Sequence, residues 1–288
     1  MLACRTMLML GFILRTALIP VALIAVAPSA YGQDRLSDGE ACELEPGGES
    51  TVLAISNSRA LLLADGRQVY LAEVLPPISG EGAVVSAVTG ATAYLRAHVL
   101  GQKVEIRYGG KHQDRYGATV AHVFVAGDNP LWVQESLVRE GLAQAFPQPD
   151  NHACSKQLAS LEEKARNANR GYWGLAFFKV LPARDARSLL NLVQTYQIIE
   201  GEIAFVTHTG GRAILHFAED RQFGFTATVE PAAQKRLSEQ GLDDWQGQTV
   251  RIRGWIERKR GPAIAITQPE QIELLRRQPT PPASPKLQ

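Results

Sequence analysis

Three short apolar runs, Thr51 to Ile55, Ala60 to Leu63 and Gln68 to Val74, are separated only by the turn-forming stretches Ser56-Asn57-Ser58 and Ala64-Asp65-Gly66-Arg67. Connections this short join antiparallel neighbours, because a parallel crossover needs a dozen residues or more. The segment therefore reads as a β-meander of three short strands. Pro76-Pro77 stops the third strand, and Ser79 to Gly82 extends the loop. Ala83 to Leu100, with apolar residues at Val84, Val88, Tyr94, Leu95 and Val99, reads as a helix closed by Gly101. Lys103 to Tyr108 is the fourth strand, Gly109 to Tyr116 a polar loop and Ala118 to Ala126 the returning strand. Pro130 opens a second helix that runs to Gly141, and Asp150 to Asn169 is a third, ended by Arg170-Gly171. Five strands and three helices make this unit mainly β with α.

A second β-rich unit follows a polar, Arg-rich segment over 182–195 that reads as a linker helix. Ile198 to Thr207 and Arg212 to Phe217 form a hairpin across Thr209-Gly210-Gly211, and Gln222 to Val229 is a third strand. Pro231 to Gln240 is a short helix, and Thr249 to Trp255 and Ala263 to Thr267 complete five strands. That order suits a small Greek-key barrel of the oligonucleotide-binding (OB) type. The expected organisation is a signal peptide over 1–32, an extension over 33–47, the first unit over 48–178, a linker over 179–195 and the OB-like barrel over 196–275. A disordered tail over 276–288 carries Pro279, Pro281, Pro282 and Pro285.

The signal peptide rests on Arg5 and Arg15, an apolar run from Ala17 to Pro28 and the small-x-small site Ala30-Tyr31-Gly32. That run is shorter than the roughly 20 residues a membrane span needs and contains Pro20. The expectation is a periplasmic or secreted chain with no membrane span after cleavage. Cys4 leaves with the signal. Cys42 and Cys154 remain as an even pair in an oxidising compartment, so a bridge between them is expected, with two unpaired buried thiols as the alternative.

Thirty Lys and Arg against 29 Asp and Glu exclude a protein whose whole surface attracts phosphate, so polyanion binding must come from a local patch. The histidines show no ligand spacing on one element and read as solvated or core residues; no metal or other cofactor is expected. Glu162-Glu163, followed by Lys164 and Arg166, reads as a solvated helical face.

The first unit resembles the staphylococcal-nuclease-like (thermonuclease) family over about residues 48–178. The resemblance is carried by Val52 to Ile55 with Leu61-Leu62-Leu63, by Asp65 to Leu71, by Asp114-Arg115-Tyr116-Gly117, by Leu137 to Ala143, and by Ala165-Arg166 with Gly171-Tyr172-Trp173. It implies a five-stranded OB barrel with three helices, and calcium-dependent phosphodiesterase chemistry. That chemistry uses two calcium carboxylates, a Glu that activates water, and two Arg residues that neutralise the phosphate. The sequence departs at each carried position. Arg59 and Leu75 replace the calcium carboxylates, Tyr70 and Ala118 replace the arginines, and Ile78 replaces the glutamate. The resemblance thus implies the architecture while the residues point to a pseudoenzyme.

In the second unit Arg251, Arg253 and Trp255 alternate on one strand face, and Arg258, Lys259 and Arg260 follow before Gly261-Pro262. Cations beside an aromatic are what single-strand binding uses. The alternative is an amphipathic strand whose Arg stems cover apolar surface and whose Trp is core. The stretches Val250 to Ile256 and Pro269 to Glu273 resemble the OB-like domain that follows thermonuclease-type domains in some exported bacterial proteins. The expected function is a non-catalytic binding module for single-stranded nucleic acid, another polyanion or an envelope protein. The alternative is a metal-dependent phosphodiesterase with a rearranged site drawn from Arg59, Tyr70, Glu73, Arg107 and Arg115.

Overall fold

A computed structural model describes residues 42–77, 84–127, 130–220, 223–239 and 245–275. The expected signal peptide, Ile78 and the expected tail lie outside these residues. The first unit consists of β1 (Glu45–Asn57), β2 (Ala60–Leu63), β3 (Gln68–Leu71), β4 (Val74–Leu75), α1 (Val84–His98), β5 (Lys103–Tyr108), β6 (Thr119–Val125), β7 (Leu131–Trp132), α2 (Val133–Arg139), β8 (Gln144–Ala145) and α3 (Ser155–Asn167). β3 pairs with both β2 and β6, which closes a five-stranded barrel in the order β1-β2-β3-β6-β5. Closure removes the open edges of the meander.

β1 starts six residues before the expected strand. Its first half pairs with β5 and its second with β2, so it wraps around the barrel. Pro46-Gly47-Gly48 reads locally as a loop. Gly48, at φ 85°, sits within a register shift that lets the strand curve without losing its pairing. α3 begins five residues later than expected, because the preceding turn is taken up by the Cys42–Cys154 disulfide and by Glu73. The bridge itself is present as expected. Gly141, after α2, and Gly171, after α3, meet back to back. A Cβ on either would stand 2.2 Å from a carbonyl oxygen, and both have positive φ.

The second unit comprises β9 (Leu181–Pro182), α4 (Ala186–Leu189), β10 (Tyr196–Glu202), β11 (Phe205–Thr209), β12 (Arg212–His216), β13 (Thr226–Val229), α5 (Pro231–Glu239), β14 (Thr249–Trp255), β15 (Glu257–Arg258), β16 (Pro262–Ile266) and β17 (Ile272–Leu274). β10 runs into β11, and β14 into β15, across short kinks. Through these kinks the sheets β17-β14-β10-β9 and β11-β12-β13-β16-β15 join end to end. The pairing order then repeats that of the first barrel, including a parallel pair between the third and fifth strands (β3 with β6, β13 with β16) and a helix between the third and fourth. Ala183 and Leu189, in the expected linker, are buried in the second core, and Leu181 pairs with Ile199.

Both barrels belong to one compact unit. A small cluster of Ala165, Tyr172, Trp173, Phe178 and Ile198 joins the end of α3 to β10. Burial, then Glu162, raises the Tyr172 phenol well above its usual value, and burial also raises that of Tyr196. Both stay neutral in the folded chain while the unfolded chain ionises them above about pH 10. Stability is therefore expected in full below pH 10 and to fall as pH rises beyond it, by up to about 1.4 kcal/mol per pH unit for each phenol. Denaturant melts at pH 9 and pH 11 check this, and Tyr172→Phe with Tyr196→Phe should flatten the loss. No helix among the described residues is long and apolar enough to cross a membrane.

Candidate functional site

The turn between β1 and β2 is set by the Asn57 side chain, whose Oδ1 accepts the Arg59 N–H at 2.9 Å. This Asx turn delivers Arg59 to one end of the barrel, where its guanidinium lies 5.7 Å from the ring centroid of Tyr70 on β3. Opposite, the loop between β5 and β6 is folded by Asp114, whose Oδ1 accepts the N–H groups of Tyr116 and Ala118 at 2.9 and 3.0 Å. Gly117, at φ 82°, completes that turn. Arg59, Tyr70, Asp114, Tyr116 and Gln148 line a cleft of about 280 Å³, with Leu71 and Val120 in its wall. Tyr116 is 77 % exposed and carries the Arg115 guanidinium 4.8 Å from its ring centroid. Burial pulls the half-buried Arg59 guanidinium below its ordinary value, against the opposing pull of Tyr70 and Asp114.

Of the carried family positions, Arg59 and Tyr70 therefore share one cleft. Ala118 closes the turn beside it, and Leu75 is buried in β4, paired with Gln144. Gln148 is a cleft residue that sequence reading missed, since a lone loop glutamine carries no motif.

Glu73 is fully buried and does not reach this cleft as a solvated base. Its backbone sits at φ 57°, a left-handed conformation unusual for a residue with a side chain. It is held there by its own bonds. Its N–H donates to Gln148 Oε1 at 3.2 Å and its C=O accepts from Phe146 N–H at 2.8 Å. Oε1 accepts the Cys154 N–H at 2.9 Å and lies 3.2 Å from His122 Nε2, while Oε2 accepts the Ser155 hydroxyl at 2.6 Å. Candidate donor atoms of Glu73, His122 and Cys154 lie within 4.8 Å of one another. With the Cys154 sulfur in the disulfide, two donors remain, and the trio is a packed anchor for the start of α3. A polar residue inside each of the apolar runs Val69 to Leu75 and Ala118 to Ala126 was the available sequence signal for this pair. Arg107 pairs with Glu105 and lies over Phe124, so the rearranged site of Arg59, Tyr70, Glu73, Arg107 and Arg115 is not assembled.

The basic patch of the second unit divides. Arg251, Arg253 and Trp255 share a face as expected, but that face meets the first barrel. Arg253 is 5 % exposed, and its Nη1 donates to Glu162 Oε2 at 2.5 Å and to the Ala145 carbonyl at 3.2 Å. Burial would lower its pKa, yet Glu162 and Tyr196 outweigh burial and raise it. Arg251 bonds Glu163, Glu273 and Glu200 at 3.2–3.3 Å. The expectation that Arg253 faces a ligand is thus corrected, because the carboxylates of α3 cover it. The reading of Glu162 as solvated is corrected by the same contact. Trp255 is 39 % exposed and packs edge-on against Tyr196. Arg258, Lys259 and Arg260 remain exposed, with Lys259 3.6 Å from Glu257.

The family model described as Staphylococcal nuclease homologue matches residues 85–174. A curated thermonuclease of Staphylococcus hyicus is 28 % identical over 83 residues, which is 29 % of this chain and 47 % of that protein. The chain thus spans about half the length of this curated relative. The family match takes in the Asp114 loop, α2, α3 and the Gly141–Gly171 contact, and begins after Arg59, Tyr70 and Leu75.

Proposed function

Starting from a chain that carries a staphylococcal-nuclease-like domain, we propose an exported, non-catalytic binding module for a polyanion, single-stranded nucleic acid first among them. The observation that carries this reading is Arg59 in the barrel-end cleft, at the position where the family resemblance implies a calcium carboxylate. Ca²⁺ takes hard oxygen donors, and a guanidinium repels it. Leu75, at the second calcium position, has only hydrocarbon and is buried in a strand pair. These residues do not fit the ion. Glu73, the nearest carboxylate along the chain, is spent on anchoring α3. Removing one preorganised charge contact at a catalytic site commonly costs ~10²–10³ in rate.

We also read the second unit as an OB-like barrel, on the repeated strand order and the repeated parallel pair. Export is proposed from the N-terminal apolar run, with the disulfide as chemical support. Polyanion contact outside the cleft falls to Arg258, Lys259 and Arg260.

The test is one gel with the full chain and labelled single-stranded DNA and RNA, run with Ca²⁺, with Mg²⁺ and with a chelator. Intact strands that shift in all three lanes are expected, with binding that weakens as salt rises, at a slope of about −0.7 per contacted phosphate. Metal-dependent cleavage that a point substitution in the cleft abolishes overturns the reading.

A further inference from the structure

We propose that reducing the Cys42–Cys154 disulfide turns its surroundings into a buried tetrahedral zinc site, with Cys42, Cys154, His122 and Glu73 as the four ligands. The site stands apart from the barrel-end cleft, and the proposal holds or falls without the nucleic-acid reading.

Two thiolates, an imidazole and a carboxylate are ligand types that zinc takes in closed, four-coordinate sites. Candidate donor atoms of Glu73, His122 and Cys154 lie within 4.8 Å of one another, and the bridge brings the Cys42 sulfur to the same point. His122 Nε2 and Glu73 Oε1 are 3.2 Å apart, close to the roughly 3.4 Å between two ligands that each stand about 2.0–2.2 Å from one tetrahedral ion. The His122 side chain is fully buried, yet its Nδ1 has no bonded partner among the described residues, so no second bond fixes the tautomer of the ring. Gly109 lets the ring reach the two cysteine-bearing segments. A Cβ there would stand 3.2 Å from His122 Nε2, 3.1 Å from Leu44 Cδ2 and 3.2 Å from Ala153 Cβ. Charge balance also favours the ion. Two thiolates and a carboxylate around a dication leave a single negative charge, as an ionised Glu73 does alone, so occupancy adds no net charge to a buried place.

The bridge has one reachable sulfur, since Cys42 is only partly buried while Cys154 is fully buried. The reductant is an external dithiol. One of its thiolates attacks Cys42 Sγ, the S–S bond breaks and Cys154 leaves as a thiolate. The second thiol of the reductant then attacks the mixed disulfide, and the reductant departs as its own disulfide with both cysteines reduced. Zn²⁺ binding afterwards releases the remaining thiol protons to water and moves no electrons.

The experiment uses the full chain carrying Cys4→Ser, so that no other thiol is present. The chain is reduced with dithiothreitol, desalted without oxygen and titrated with Co²⁺, then with Zn²⁺. Expected are one ion per chain, a thiolate-to-cobalt charge-transfer band with the visible bands of a tetrahedral ion, and displacement of Co²⁺ by Zn²⁺. The oxidised chain should show none of these. Zn²⁺ should also raise the denaturant midpoint of the reduced chain and leave that of the oxidised chain unchanged, because an ion that binds only the folded form stabilises it. Cys42→Ser is expected to weaken Co²⁺ binding at least about tenfold and to diminish the charge-transfer band, since losing a ligand costs no less than losing an outer-shell partner. His122→Ala should weaken it likewise, and the partly exposed Cys42 keeps the test informative where His122→Ala does not fold. A reduced chain without the charge-transfer band overturns the proposal. So does Co²⁺ affinity that is unchanged in Cys42→Ser or in a folded His122→Ala, or that is equal in the oxidised chain.

Discussion

Arg253→Ala is expected to lower the melting temperature of the full chain by about 6–20 °C. The Arg253–Glu162 pair joins β14 of the second barrel to α3 of the first, and both side chains are buried. The Ala145 peptide lies between them, its carbonyl bonded by Arg253 and its N–H bonded to Glu162 Oε1 at 3.2 Å. Removing the arginine leaves a buried carboxylate whose remaining cation is Arg166, 3.9 Å away, and breaking such a buried pair costs up to about 3–5 kcal/mol. One kcal/mol moves the melting point by about 2–4 °C in a chain of this size. Glu162→Gln should cost a similar amount, because it strands the buried guanidinium. The double variant Arg253→Met with Glu162→Leu should recover most of the loss, since replacing a whole buried pair with apolar side chains is often neutral. Thermal melts of the four proteins decide the matter. Additive losses in the double variant would mean that the two residues act separately.

Breaking the Cys42–Cys154 disulfide should have a comparable effect. The bridge closes a loop of 112 residues. Chain-entropy arguments give about 4.7 kcal/mol for a loop near that length. Its place in the fold adds to this, because Cys154 donates its N–H to Glu73 and precedes the first turn of α3. Cys42→Ser with Cys154→Ser, or reduction of the wild-type chain, is expected to shift the denaturant midpoint strongly downward. A reduced chain that unfolds at the same midpoint as the oxidised one would show that α3 is held by Glu73, Ser155 and the core alone.

Most of the element order is legible in the amino-acid sequence. β5 falls on Lys103–Tyr108 as read, because its alternation is undisturbed and Gly101 and Gly109 bound it. α2 is shorter than the reading from Pro130, because Leu131 and Trp132 pair with β6 before the helix begins. β1 is longer than its local sequence predicts, since Pro46-Gly47-Gly48 signals a loop and only pairing with β5 holds it as strand. The kinks that split the first strand and the fourth strand of the second barrel leave no mark in hydropathy, because they turn the strand from one neighbour to another without ending it.

The cleft was half legible. Arg59, Tyr70 and Ala118 could be placed by their order among the strands. Gln148 could not, because it arrives from a loop far along the chain. The charged stripe of β14 shows the limit most plainly. Period-two spacing puts Arg251, Arg253 and Trp255 on one face, and that inference holds because it depends only on adjacent residues. Whether the face meets water, a ligand or another part of the chain depends on a surface 91 residues away, where Glu162 stands. Local geometry and simple counting are enough for the main strands, the longer helices, the turns and the expected cysteine pair. The burial of Arg253 and the place of Arg59 in a cleft come from long-range packing, because the surroundings of a charge are set by whichever surface folds against it.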